Sequence, residues 1–137
     1  MRVIYLETSA LLTWLFDEPH ASQIIDTIND ADLIVTSDLL RIETLRAIKR
    51  ALHEKLITSE QLETLVQTFH DYIKSCFRMS MDETVVSGAT MNFPIEPVSS
   101  LDAIHLSTAL EYKKLYPEIE MLTTDARLKQ NTALLDL

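Results

Sequence analysis

Four carboxylates stand where carboxylates can do chemistry: Glu7 in "VIYLETSALL", Glu43 in "RIETLRAIKR", Asp102 in "SSLDAIHLSTAL" and Asp125 in "LTTDARL". Glu7 closes an apolar, strand-like run, and open α/β sheets keep their ligand crevice at the carboxyl ends of strands. Asp125 follows a second such run. Glu43 falls in a helical pattern beside an apolar stripe, where a partly buried carboxylate needs a partner; helical spacing nominates Arg46. Each acid also has a plain structural reading. Ser99 and Asp102 have capping-box spacing, and Asp125 can serve as a simple N-cap. Converging on one sheet edge, however, four like charges repel by roughly several kcal/mol unless a cation neutralises them. Oxygen donors without sulfur and with little histidine select Mg2+ or Mn2+ over zinc.

Other chemistries find less support. His105, one helical turn after Asp102, reads as a packed or salt-bridged residue rather than a ligand, and His20, His53 and His70 fall in helix starts or polar faces with no acid or cysteine at ligand spacing that stands out. Cys76 is alone, which excludes an internal disulfide and a cysteine zinc cage; beside Phe77 it reads as a buried thiol. Ser9 lies in no G-x-S-x-G elbow and has no evident histidine partner. The single glycine, Gly88, removes both G-x-G-x-x-G and G-x-x-x-x-G-K. Trp14 and Phe16 read as core or subunit interface rather than a base-stacking platform.

The four acids need a frame that gathers them. Hydrophobic period predicts a strand over 2–6, a helix over "SALLTWLFDE" ended by Pro19, a helix over about 20–30 and a strand at "DLIVTS". Ser37 and Asp38 cap a long helix over about 38–53. Thr58 and Gln61 have capping-box spacing at the start of a helix running to about 74. "FRMSM" follows as strand three, and Asp82 caps a short helix to about 92. After a loop holding Pro94 and Pro97, "SSLDAIHLSTALEYKKLY" reads as a helix closed by Pro117, "IEMLTT" as a strand and "DARLKQNTALL" as a last helix. Strand and helix alternating in this way predict an α/β fold, a parallel sheet with helices on both faces.

Composition sets the outer limits. At 137 residues and 47% hydrophobic, the chain suits one domain over 1–137 with a real core. No apolar run approaches the roughly 20 residues of a membrane span, and no secretory leader is visible, so a cytoplasmic protein away from membranes is expected. Twenty-one acids against twelve bases give a net charge of −9, the wrong sign for a broad basic nucleic-acid surface. A polyanion must be held locally, by a metal bridge in an acidic cleft or by a partner's basic residues. Arg41, Arg46, Lys49 and Arg50 form one basic cluster, for which a solvated helix face is the commoner origin.

The four segments quoted first resemble, in order and spacing, the four motifs of PIN-domain proteins of the VapC toxin ribonuclease type, and the resemblance extends over almost the whole chain. It implies a three-layer α/β/α sandwich around a central parallel sheet of four to five strands. It also implies Mg2+ or Mn2+ as cofactor, an RNA substrate, a homodimer, and inhibition by a VapB-type antitoxin whose C-terminal segment enters the active-site groove. Carried over, the catalytic and metal-binding acids are Glu7, Glu43, Asp102 and Asp125, supported by the hydroxyls of Thr8, Ser9 and Thr123. The expected function is the toxin of a toxin–antitoxin module, a metal-dependent endoribonuclease. One departure stands out: the family pattern has aspartate at the position of Glu7. A methylene moves that carboxylate outward, and a displacement of about 1 Å in a catalytic group can cost roughly a hundredfold in rate. A weakened or inactive PIN domain serving as an antitoxin-binding module is the second reading. The third, a phosphoryl-transfer receiver, wants a supporting lysine that "SMDETV" does not supply. The ending "ALLDL" predicts that a last edge strand is short or missing.

Overall fold

The computed structural model describes residues 1–137. Its elements are β1 (Val3–Leu6), α1 (Thr8–Leu15), α2 (Ala21–Asp30), β2 (Leu33–Ser37), α3 (Asp38–His53), α4 (Ser59–Ile73), β3 (Phe77–Met79), α5 (Glu83–Ala89), α6 (Ser100–Lys113), β4 (Glu120–Leu122) and α7 (Ala126–Leu135). Four strands pair in the order β3-β2-β1-β4, all parallel. β1, "VIYL", is buried along its whole length, as a strand covered on both faces must be.

Alternation along the strands builds two cores. Leu6 faces Leu11, Ile24, Leu40 and Phe69, which α1 to α4 bring to one side of the sheet. Val3, Tyr5 and Val35 face Ala109 and Tyr112 of α6 on the other. The result is an α/β/α sandwich. Each fully buried Leu, Ile or Phe contributes about 1.5–3 kcal/mol, and Leu6, Leu11, Leu40 and Phe69 are all 0% exposed.

Local signals place the helix starts. Thr58 and Gln61 form both halves of a capping box, Ser37 caps α3, and Asp82 accepts from Val85 N at the head of α5. Several elements are shorter than the periodicity suggests: β3 ends at Met79, α5 at Ala89 and β4 at Leu122. Gly88 has a packing role instead of a turn role. A Cβ there would lie 2.3 Å from Ser107 Oγ, and that hydroxyl donates to Val85 O at 2.7 Å, tying α6 to α5. No helix is long and apolar enough to cross a membrane.

Candidate active site

The strand order creates the crevice. β2 and β3 extend the sheet to one side of β1, whereas β4 joins on the other, so the carboxyl ends of β1 and β4 flank a topological switch point, where open α/β sheets bind ligands. Glu7 follows β1 and Thr123 follows β4. The backbone joins them first, Glu7 N donating to Leu122 O at 3.1 Å. Side chains then close the gap: Glu7 Oε2 accepts from Thr123 Oγ1 at 2.7 Å, from Ser9 N at 3.0 Å and from Ser9 Oγ. Glu7 thereby also caps α1. Ser9 Oγ in turn accepts from Thr124 N at 3.0 Å. Only 5% of Glu7 is exposed. Burial pushes its carboxyl above the usual value, and Ser9, His105 and Thr123 pull it partly back.

Glu43 is held by a different set. Its Oε1 accepts from Thr8 Oγ1 at 2.7 Å and lies 2.5 Å from Nε2 of His105. His105 is fully buried, and its Nδ1 meets the Tyr5 hydroxyl at 2.8 Å. A carboxylate only accepts, so Nε2 carries the proton in this bond. The partner nominated by helical spacing is corrected here: Arg46 is exposed and pairs with no carboxylate. His105 takes its place because α6 packs over β1 and delivers the imidazole to the buried side of α3. Sequence reasoning gave His105 as packed or salt-bridged; it is packed, with no exposed surface, and its ring meets the Glu43 carboxylate. Tyr5 was missed; its signal was its place two residues before Glu7 on a buried strand.

Asp102 and Asp125 complete the group. Ser99 Oγ accepts from Asp102 N at 3.3 Å, one half of the capping-box spacing. Burial raises the Asp102 carboxyl above its ordinary value, and the negative charges of Asp125 and Glu43 add to the rise against the pull of Ser99 and His105. Asp125 is the N-cap of α7, its Oδ1 accepting from Arg127 N at 2.8 Å and Leu128 N at 3.1 Å. Thr123 Oγ1 accepts from Asp125 N at 3.1 Å, so one hydroxyl positions both Glu7 and Asp125.

A pattern runs through these acids. Glu7 Oε2, Glu43 Oε1 and Asp125 Oδ1 are anchored by the protein, while the second oxygen of each accepts no protein hydrogen bond. No lysine or arginine is ion-paired with any of the four. Such a donor set fits a hard divalent cation. No three His, Cys, Asp or Glu side chains stand close enough together to form a ready ligand group.

Comparison with known proteins agrees with this architecture. A family model described as PIN domain matches residues 4–133. The chain is 29% identical over 137 residues to "Ribonuclease VapC35" of Mycobacterium tuberculosis, in strains CDC 1551 / Oshkosh and ATCC 25618 / H37Rv, covering 98% of this chain and 93% of the relative. With a family match across nearly its full length, over a parallel sheet whose switch point gathers acids, the chain belongs to the PIN domain family.

Proposed function

We propose that this PIN domain is an endoribonuclease, the toxin component of a toxin–antitoxin module, that hydrolyses RNA phosphodiester bonds with Mg2+ or Mn2+ held by Glu7, Asp102, Glu43 and Asp125. The observation that carries the reading is the set of anchored carboxylates at the switch point, each with an uncommitted oxygen and none paired with a lysine or arginine. The named relative, a ribonuclease, supports the substrate class. A bound cation would supply charge neutralisation for the phosphoryl oxygens and a lowered pKa for water. The chain's own part is aim. Ser9 and Thr123 hold Glu7, Thr8 and His105 hold Glu43, and the α7 amides hold Asp125. Free oxygens on Glu43 and Asp125 orient the attacking water in line with phosphorus. A VapB-type antitoxin and a second copy of the chain are the partners in this reading.

One observation favours a second reading. Oε2 of Glu7 is committed to three donors on a side chain one methylene longer than aspartate, which suits a weakened PIN domain that works as an antitoxin-binding module. Incubating the purified chain with a mixed RNA pool and Mg2+, Mn2+ or EDTA separates the two, with Asp102→Asn and Glu7→Asp alongside. Metal-dependent cutting that Asp102→Asn abolishes supports the ribonuclease. Cutting by Glu7→Asp alone supports the weakened domain, and silence from both removes the ribonuclease reading.

A further inference from the structure

Beside Asp102, the loop 94–99 and α7 line an open pocket of about 240 Å3. Ile95, Val98 and Leu128 give it apolar walls, and Glu96, Arg127 and Gln130 give it polar groups; Ser99 and Asp102 join it to the candidate active site. The wall is fixed before any ligand arrives. Asn131, 3% exposed, donates to Ile95 O and accepts from Ile95 N, both at 2.9 Å. Glu96 accepts from Val98 N at 2.9 Å and from Phe93 N at 3.3 Å. Two groups facing the space are by contrast uncommitted: the Arg127 guanidinium makes no ion pair, and the Gln130 amide makes no hydrogen bond within the protein.

Size and chemistry narrow the occupant. Pockets for drug-sized ligands run to roughly 300–1,000 Å3, so this one suits a single base. Aliphatic walls take the faces of a planar ring, leaving its edges to the polar groups. Arginine matches the paired O6 and N7 acceptors of guanine. Glu96, whose oxygens each keep a lone pair beyond their bonds to Val98 N and Phe93 N, matches together with the Gln130 amide the adjacent N1–H and N2–H2 donors of the same base, and no other base offers both sets. We propose that this pocket is a guanine subsite, seating the nucleotide next to the phosphodiester that is cut. Its place in RNA cleavage rests on the ribonuclease reading; its ability to bind the base does not.

The test is equilibrium binding of GMP, AMP, CMP and UMP to the isotope-labelled full chain without divalent metal, followed by amide NMR. GMP is expected to move the amides of Ile95, Val98 and Gln130 and to bind about tenfold more tightly than the other three. Arg127→Met removes that preference and Gln130→Ala narrows it, with the spectra themselves reporting that each variant is folded. Equal binding of all four nucleotides, shifts confined to other regions, or a preference that survives Arg127→Met overturns the subsite. GMP binding here by a chain that cuts no RNA removes the ribonuclease reading and keeps the subsite. RNA cutting without GMP binding does the reverse.

Discussion

Nε2 of His105 lies 2.5 Å from Oε1 of Glu43, across a gap that joins α6 to α3. Behind it the Tyr5 hydroxyl meets Nδ1 at 2.8 Å, so a phenol, an imidazole and a carboxylate form one chain from the sheet to the crevice. His105→Leu orphans the buried phenol. An unsatisfied buried polar group costs about 1–3 kcal/mol, and urea denaturation of His105→Leu should show a loss of that size. Adding Tyr5→Phe removes the orphan and should recover much of it. Additive losses in the double variant would contradict the connection.

The pH dependence of Glu7 has a definite sign. Folding raises its proton affinity from an ordinary 4.5, so the native state binds more protons than the unfolded chain. Its contribution is greatest below about 4.5 and declines as pH rises toward the higher native value. Glu7→Gln carries no such penalty. The Tm difference, Glu7→Gln minus the parent, should move in favour of the variant between pH 4 and pH 7 without divalent cations. A difference that moves the other way would show that hydrogen bonds from Ser9 and Thr123 outweigh burial.

Gly88→Ala sets helix propensity against space. Alanine gains roughly 0.5–1 kcal/mol within a helix, yet its Cβ would stand 2.3 Å from Ser107 Oγ. Overpacking costs about 1–3 kcal/mol, so a net loss is expected in thermal or urea unfolding. Ser107→Ala deletes the clashing oxygen and leaves the new Cβ 3.4 Å from the Ser107 Cβ. The double variant should therefore be more stable than Gly88→Ala alone; if it is not, the close approach is not the cause.

Arg46, Lys49 and Arg50 are exposed on α3, on the helix that carries Glu43, and none has a carboxylate partner. If they contact RNA phosphates, each neutralisation to alanine lowers the slope of log affinity against log salt by about 0.7 for a single strand. Fluorescence titration of an RNA oligonucleotide with Asp102→Asn as the parent measures this without cutting. An unchanged slope would assign the cluster to solvation alone.

Much of the fold was legible because its signals are local. The buried run "VIYL" and the Thr58–Gln61 box depend only on neighbours in sequence, and both stand as expected. Element ends were less legible: β3 and β4 stop after three residues because pairing with a neighbouring strand, which sequence period does not encode, decides where a strand ends. The positions of Glu7 and Asp125 could be read from strand ends. The partner of Glu43 could not. Arg46 is near it along the helix, whereas His105 is 62 residues away and reaches it only because α6 packs on the sheet.

Both outer strands of the sheet are three residues long, and the Tyr112 hydroxyl shares its one proton between Thr36 O at 3.1 Å and Phe77 O of β3 at 3.2 Å. Arg78 adds a charge to that margin, 3.9 Å from Asp38. A long bare margin invites another polypeptide to add a strand, and short, charged margins discourage it. Short, charged margins of this kind resist runaway sheet growth between copies of the chain.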